Sequence, residues 1–285
     1  MIRPTLFCFG LGYCARRLAR RLAAQGWEVG GTLRAPDAAP DPDGFAPLPF
    51  GPGRPLPAGA LDRATHLLIS IPPGPADMAD PVLDHCRAAL EAAPCLQWIG
   101  YLSTTGVYGD HQGGLVDETT PPAPTSARAA RRVMAERAWL DLGRALAVPT
   151  QVFRLAGIYG PGRSALDDLR RGTARRIVKP GQIFSRIHVE DVATVLEASM
   201  ARPRAGAVYN VCDDEAAPPQ DVVAFGAALL NLPPPPEIPF EQAALSEMAQ
   251  SFWTDNKRVD NSLLHKELGV RLAYPSYREG LAACA

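Results

Sequence analysis

A glycine-rich run near the amino terminus has the residue types and spacing that bind a phosphate. It lies between an apolar run and an amphipathic segment and follows the pattern G-x-G-x-x-A. Glycine at position 10 allows a tight turn, glycine at 12 allows close backbone approach to a pyrophosphate, and a small residue at 15 allows close helix–strand packing. The N–H groups and positive dipole end of the following helix favour the anion. The pattern predicts a dinucleotide-binding loop, against the alternative of a glycine-rich turn without a ligand, formed by Gly10, Leu11, Gly12, Tyr13 and Cys14.

The end of the second apolar run indicates which dinucleotide the loop prefers. A protein that binds NAD places Asp or Glu there, about 20 residues past the glycines, to hold the ribose hydroxyls. Here residues 30–34 read G-G-T-L-R, and the first acid is Asp37. Arg34 can form a forked contact with a 2′-phosphate, and Thr32 can assist it. We therefore predict NADP in preference to NAD; the alternative is that Arg34 is a solvated arginine at a strand end.

Strands and helices alternate along the first half of the chain. Continuous apolar runs that end at glycine or proline are typical of strands buried on both faces of a parallel sheet. The predicted strands cover 5–9, 27–33, 48–50, 66–71, 96–103 and 150–155, and the predicted helices cover 13–25, 76–92 and 126–147. Short connections between them predict right-handed βαβ units in an α/β fold, a doubly wound parallel sheet of Rossmann type.

The pattern is less regular after Gly160. Strands are predicted at 176–179, 183–186 and 208–211, and helices at 165–171, 189–200 and 218–231. We expect a dinucleotide-binding Rossmann domain over 1–160, with 187–204 packing back on it. Residues 161–186 and 205–285 are expected to form a smaller α/β lobe that binds the substrate.

The composition argues against several kinds of partner. A formal net charge of −1 over 285 residues gives no attraction to nucleic acid or an anionic membrane, and no nucleic-acid motif is present. No apolar run approaches the ~20 residues of a membrane span. The six cysteines have neither CxxC spacing nor a zinc framework, so we expect no metal and reduced thiols in a cytoplasmic protein.

Six motifs in order along the chain resemble the extended and atypical short-chain dehydrogenase/reductases, close to the NAD-dependent epimerase/dehydratase family and its nucleoside-diphosphate-sugar epimerases. They occupy 10–15, 67–73, 101–109, 154–162, 186–193 and 208–211. The resemblance implies that further residues contact the cofactor: Ser70, Ile71, Pro72, Ser103 and Arg132. It also implies a set of substrate contacts: Thr105, Tyr108, Arg128, Arg163 and Arg186.

The family's chemistry requires a Ser or Thr that orients the substrate, a Tyr that acts as acid and base, and a Lys four residues later. The resemblance places Thr104 in the first role, with Ser103 as a second candidate. Counting back from Glu136, the lysine position is Arg132 and the tyrosine position is Arg128. A guanidinium stays protonated and cannot act as a general base. In one interpretation Arg132 binds the cofactor and Arg128 binds an anionic group of the substrate. In the other, both arginines belong to an ordinary charged helix surface.

Other residues could move a proton, but the sequence favours a structural role for each. Tyr108 and Tyr159 lie in matching motifs whose tyrosines are usually structural in relatives. His188 is expected to be a packed histidine at a helix start, and Asp191 a first-turn acid favoured by the helix dipole.

Two functions are compatible with these residues. The first is an NADP-dependent oxidoreductase or epimerase-like enzyme that acts on a small anionic substrate such as a nucleotide sugar, since several arginines follow Gly160. The alternative is a non-catalytic, redox-sensing NAD(P)-binding protein that has lost the Tyr–Lys pair. Relatives often pair through two long helices, so a homodimer is expected, although the charge on 126–147 argues against it.

Overall fold

The computed structural model describes residues 3–35, 41–74 and 80–285, apart from the side chains at 247, 248 and 251. The strands are β1 Thr5–Phe9, β2 Glu28–Leu33, β3 Leu48–Pro49, β4 His66–Ile69, β5 Trp98–Thr104, β6 Leu115–Val116, β7 Thr150–Leu155, β8 Gly157–Tyr159, β9 Arg176–Val178, β10 Arg186–His188, β11 Val208–Val211, β12 Glu237–Pro239 and β13 Arg258–Val259. The α-helices are α1 Tyr13–Ala24, α2 Pro81–Glu91, α3 Ala127–Leu146, α4 Ala165–Arg170, α5 Val189–Ala201, α6 Pro219–Leu229, α7 Glu247–Thr254 and α8 Tyr277–Ala282.

Seven strands form a mostly parallel sheet in the order β11-β7-β5-β4-β1-β2-β3. β1 lies between β2, where Thr5 faces Glu28, and β4, where Leu6 faces His66. The order reverses at β1, because the chain adds β2 and β3 on one side and β4 and β5 on the other. This is the doubly wound arrangement, in which ligands bind beyond the carboxyl ends of the strands at the reversal.

By their contacts the residues form two compact units. Unit 1 comprises 1–103, 130–154 and 193–209, and unit 2 comprises 104–129, 155–192 and 210–285. Unit 1 has an aromatic-rich core that includes Phe9, Tyr101 and Trp139. Unit 2 has its own core around Tyr159, Leu166 and Tyr277. The domain boundaries given above stay a prediction; the contact-based units assign 104–129 to the second unit.

The predicted fold class is confirmed, and most predicted elements of the large sheet occur within two residues of their expected bounds. Helix α2 begins at Pro81 rather than at 76, and residues 76–79 lie outside the described residues. The strand predicted at 183–186 is wrong, because β10 begins at Arg186, where it pairs with Gly157 of β8. The sequence also gave no indication of β6, β8, β12 or β13, since strands of two or three residues show no periodicity.

Two buried acids join α3 to the rest of unit 1. Asp80, which is fully buried, caps α2 by accepting from the Val82 N–H at 2.9 Å and also accepts from Trp139 Nε1 at 2.9 Å. Glu136, 4% exposed, accepts from the Ser103 hydroxyl at 2.5 Å and from Arg154 Nη2 at 2.8 Å. The second contact is an ion pair whose two side chains are about equally buried. Such a pair is costly to break because its remaining charge stays buried.

Glu136→Gln should therefore destabilise the protein by about 3–5 kcal/mol, because Glu136 would no longer offset the buried charge of Arg154. The free energy of unfolding in urea measures this loss. Glu91→Gln is the matched control: Glu91 pairs with Arg87 at 3.0 Å on the surface, and its loss should cost under about 0.5 kcal/mol. Equal losses in both variants would show that the buried ion pair contributes no more to the free energy of unfolding than the surface pair does.

Candidate functional site

The glycine-rich loop between β1 and α1 is clamped onto β2 by one threonine. The Gly10 N–H donates to Thr32 Oγ1 at 2.9 Å, and the Leu11 N–H donates to the Thr32 carbonyl at 2.8 Å. Leu11 is buried over Gly31, where a Cβ atom would lie 2.7 Å from Leu11 Cγ. The prediction that Thr32 contacts a 2′-phosphate needs correction: its side chain is fully buried, and its hydroxyl supports the loop.

The turn after β4, whose residues the resemblance gives as cofactor contacts, lies against the same loop. The Ser70 and Ile71 N–H groups both donate to the Phe9 carbonyl, at 2.9 and 3.1 Å. Gly10 has a φ of +91°, and a Cβ atom there would lie 3.0 Å from Ile71 Cγ1. The turn at position 10 thus requires glycine on both conformational and steric grounds. Pro72 follows as an exposed residue.

Gly12 differs, because no steric contact with the described residues outside its chain neighbours requires glycine there. Its φ is −84°, and a Cβ atom would meet only Ser70 Oγ, at 4.0 Å. Gly12 is also the N-cap of α1, where no side chain caps the helix and the first turn contains no acid. Tyr13 and the buried Cys14 begin the helix. The positive end of helix α1 therefore lies beside the open space at Gly12, which we call the cradle. A helix start next to open space is an arrangement that can bind an anion.

Two exposed arginines lie together at the end of β2. Arg34 follows the strand, and Arg54 Nη1 donates to the Arg34 carbonyl at 3.2 Å. Among the described residues neither guanidinium forms an ion pair. Sequence reasoning missed Arg54, since it lies 20 residues further on in a Pro/Gly-rich turn. Asp37, the first acid after Arg34, lies outside the described residues.

The neighbouring arginine on α1 is by contrast already paired. Arg16 bonds Asp41 and, at 2.8 Å, Asp43, while its Nε donates to the Leu11 carbonyl at 3.0 Å. The hydrogen bond from Arg16 lowers the pKa of Asp41 to about 2. Arg16 thus anchors the segment after β2 and, unlike Arg34 and Arg54, has carboxylate partners.

The predicted catalytic or cofactor-binding role of Ser103 is not supported. Its side chain is buried, and its hydroxyl donates to Glu136. Thr104 is only half-buried, and its Oγ1 accepts from the Gly106 N–H at 3.1 Å. The Thr104 hydroxyl proton is left to donate to a ligand oxygen. Thr105 begins the 3-10 turn Thr105–Tyr108 and is half-buried.

No general base occupies the positions of the family's Tyr and Lys. Arg128 is exposed, and the half-buried Arg132 donates through Nη1 to the Leu102 carbonyl. The Arg132 guanidinium also lies 5.8 Å from the centre of the Tyr101 ring. Tyr101 itself is fully buried, and burial raises the pKa of its hydroxyl.

The remaining proton-carrying candidates have the structural roles that the sequence favoured. Tyr108, predicted as a substrate contact, is fully buried and donates to Asn210 Oδ1 at 2.8 Å, so its hydroxyl bonds the interior of unit 2. Tyr159 donates to the Ser276 carbonyl at 3.2 Å. His188 accepts from the Glu190 N–H at 3.3 Å, and the buried Asp191 accepts two backbone N–H bonds from Ala273 and Tyr274.

Arg163 and Arg186 lie in unit 2, in different environments. Arg163 is exposed in a turn closed by its own backbone bonds to Gly160. Arg186 is half-buried, and its Nη1 donates to the carbonyls of Phe184 at 2.9 Å and Ala217 at 3.0 Å. Beside it lies Asp213, 3% exposed, which the sequence analysis missed because the run C-D-D-E gives no sign that one acid is buried.

The described part of the chain contains no group of three or more His, Cys, Asp or Glu residues placed to hold a metal ion. Over residues 3–35, 41–74 and 80–285, no helix is both long enough and apolar enough to span a membrane.

A glycine loop at the reversal of a doubly wound sheet, ahead of an uncapped helix, defines a Rossmann-type dinucleotide-binding protein. The model of the NAD dependent epimerase/dehydratase family matches residues 76–212. Protein YeeZ from Escherichia coli (strain K12) is 31% identical over 282 residues, covering 93% of this chain and 94% of that protein. The chain belongs to the NAD-dependent epimerase/dehydratase family.

Solved structures agree with this fold. A functionally unknown conserved protein from Silicibacter pomeroyi DSS has a TM-score of 0.89 and 54% identity, covering 99% of this chain and 98% of that one. The dTDP-glucose 4,6-dehydratase from Bacillus anthracis str. Ames, in complex with NAD, has a TM-score of 0.75 over 98% of this chain and 94% of that one. At 15% identity the second likeness concerns the fold alone.

The buried acid Asp213 makes a testable contribution to stability. Burial raises its pKa to about 8, whereas an unfolded Asp titrates near 3.9. The folded state therefore holds the proton more tightly, and the stability that Asp213 contributes below about pH 4 is lost as the pH rises to about 8. Asp213→Asn should consequently be more stable than the parent by at least about 1 kcal/mol at pH 8, with a smaller difference at low pH.

Urea unfolding at several pH values measures that difference. Asp221→Asn is the control, since Asp221 is an exposed acid in the first turn of α6. A stability difference between Asp213→Asn and the parent that stays constant with pH would contradict a raised Asp213 pKa.

Proposed function

We propose that this protein binds NADP(H) and acts as an oxidoreductase or epimerase-like enzyme on a small anionic substrate. The observation that carries the proposal is the open cradle at Gly12, since a Cβ atom there would meet no protein atom closer than 4.0 Å. Glycine at this position is explained by a ligand that needs the space. The uncapped start of α1 favours a pyrophosphate in it.

Arg34 and Arg54 support NADP over NAD. Each is exposed, and neither guanidinium is paired within the described part of unit 1. Two unpaired guanidinium groups at the end of β2 repel each other unless an anion lies near them, and a 2′-phosphate would supply it. Arg132, held at the Leu102 carbonyl, is assigned to the ribose or a phosphate of the cofactor.

When bound, the dinucleotide supplies a hydride donor or acceptor. The chain's own contribution is to orient the substrate. Thr104 can donate a hydrogen bond to a substrate oxygen while its Oγ1 is fixed by Gly106. Thr105, Arg128, Arg163 and Arg186 are assigned to the substrate, with guanidinium groups that suit phosphate or carboxylate. Since no described tyrosine or lysine occupies the family's acid/base position, the proton is assigned to water.

The lack of a Tyr–Lys pair favours a second candidate, a dinucleotide-binding protein that senses redox state without turnover. Tyr101, Tyr108 and Tyr159 are all buried in the structure. NADPH oxidation in the presence of carbonyl substrates distinguishes the two functions. If the protein oxidises NADPH and Thr104→Val lowers the rate, the result supports the enzyme. Tight binding without turnover, together with a partner protein released by NADP⁺ but not NADPH, supports the sensor.

Calorimetry with NADPH, NADP⁺, NADH and NAD⁺ tests the cofactor. We expect NADP(H) to bind more tightly, and Arg34→Ala or Arg54→Ala to lose about 1.5–3 kcal/mol of NADPH affinity while NADH affinity is unchanged. Arg63→Ala is the matched control, because Arg63 is also exposed in unit 1 but pairs with Glu28 at 2.9 Å. Equal affinities for NADPH and NADH would contradict the assignment.

Gly12→Ala tests the cradle separately from folding. The methyl group has room in the free protein, and alanine is a poorer N-cap than glycine, so stability should fall by no more than about 1 kcal/mol. Dinucleotide affinity should fall at least about tenfold, because the same methyl group would displace the pyrophosphate. Gly10→Ala should instead lose stability, since its φ is +91°. Unchanged affinity in Gly12→Ala would show that no ligand uses the cradle.

A further inference from the structure

Arg186 and Asp213 are close in unit 2 but do not pair. The Asp213 N–H donates to the Arg186 carbonyl at 2.7 Å, which places the two backbones in contact. Neither carboxyl oxygen of the buried Asp213 has a hydrogen-bond partner among the described residues. Arg186 uses Nη1 for the carbonyls of Phe184 and Ala217. Its Nε and Nη2 groups bond no described side chain or carbonyl.

A half-buried guanidinium without a carboxylate partner has a strong affinity for an oxyanion. Carbonyl oxygens satisfy N–H groups but leave the net charge uncompensated, and a low dielectric strengthens that charge. The free edge of Arg186 can make a forked contact with a phosphate or carboxylate. Asp213 is the acid that acts most strongly on Arg186, and burial without a partner penalises the ionised form of Asp213.

We propose that Arg186 anchors an oxyanion subsite and that the protonation state of Asp213 sets its affinity. Neutral Asp213 leaves the guanidinium charge available to the ligand. Ionised Asp213 compensates that charge and weakens the binding of the anion by Coulomb repulsion. The subsite would take a phosphate or carboxylate oxygen, and assigning that oxygen to the substrate rests on the proposed function.

Asp213 is one of several charged and titratable groups in this part of unit 2, where His265 bonds Asp214 at 3.3 Å and Arg278 pairs with Glu215. Burial raises the pKa of Asp213 to about 8, and the positive charge of Arg186 opposes this rise. Burial also raises the pKa values of Tyr159, Tyr277 and Cys212, which therefore stay neutral over this range. Two further acids belong to the same surroundings: Asp214 and Glu215. Anion affinity should then be high below pH 8 and fall above it, with proton uptake on binding near pH 8.

Sulfate is the probe, because its charge does not change between about pH 6.5 and 9.5. It is titrated against chloride at constant ionic strength with saturating NADP⁺, which occupies the glycine loop. The readouts are calorimetry and the Nε–Hε resonance of Arg186, which is assigned by its loss in Arg186→Gln. We expect the full-length parent to lose about tenfold in sulfate affinity over this range, Asp213→Asn to keep its affinity, and Arg186→Gln to bind weakly throughout.

The controls are Arg271→Gln, which removes an exposed arginine of unit 2, and Asp221→Asn, which makes the same charge change as Asp213→Asn at an exposed position of α6. Both should behave as the parent. Arg186→Lys keeps the charge and should bind sulfate with intermediate affinity if Arg186→Gln does not fold. Parent-like affinity in both Arg186 variants would overturn the subsite, and the same pH dependence in Asp213→Asn would overturn the role of Asp213. Failure of NADP⁺ to bind would contradict the proposed function alone, since the variants still differ in sulfate affinity.

Comparing the binding of methyl phosphate and acetate at about pH 6.5 then shows whether the subsite prefers a phosphate or a carboxylate. Stronger binding of one that disappears in Arg186→Gln identifies the ligand group. Equal, Arg186-independent binding of both would overturn the subsite.

Discussion

The buried carboxylate of Glu136 is the constraint on which the end of β5 depends. It accepts from Ser103 at 2.5 Å and pairs with Arg154 at 2.8 Å, so that α3, β5 and β7 are joined at one point. A buried ion pair holds geometry more firmly than a surface pair, because losing either partner leaves a charge out of water. Ser103 is thereby used for support, and Thr104, the next residue, is left as the hydroxyl available for a ligand.

Arginine has two uses in this protein, and its partners decide between them. Arg16 is bound to Asp41 and Asp43, which fixes the segment after β2. Arg34 and Arg186 have no carboxylate partner among the described residues, and each lies where an anionic ligand would complete the charge balance. A charge that is buried without a partner is costly, so this cost applies to the half-buried Arg186 more than to Arg34, which is exposed to water.

Much of the fold could be predicted from sequence because the strands of a doubly wound sheet are continuous apolar runs. Glycine or proline ends the runs at β1 and β4, and helical spacing between strands makes α1 and α3 recognisable. The short strands of unit 2 could not be found in this way, since pairs such as β10 with β8 are held by backbone bonds between distant segments. The roles predicted for individual side chains were also unreliable, because the sequence does not show which way a side chain faces. Thr32 and Tyr108 lie in the expected motifs, but their hydroxyls face the interior.

The sequence by itself determined the fold class, the glycine loop and the absence of a Tyr–Lys pair, because each depends on residue types at fixed local spacing. Only the tertiary structure decided which polar side chains remain available to a ligand. Burial and hydrogen bonding assigned Ser103 to support and left Arg186 without a carboxylate hydrogen bond beside the buried Asp213. These states depend on neighbours more than 25 residues away, whose distances and dielectric surroundings are set when the chain packs.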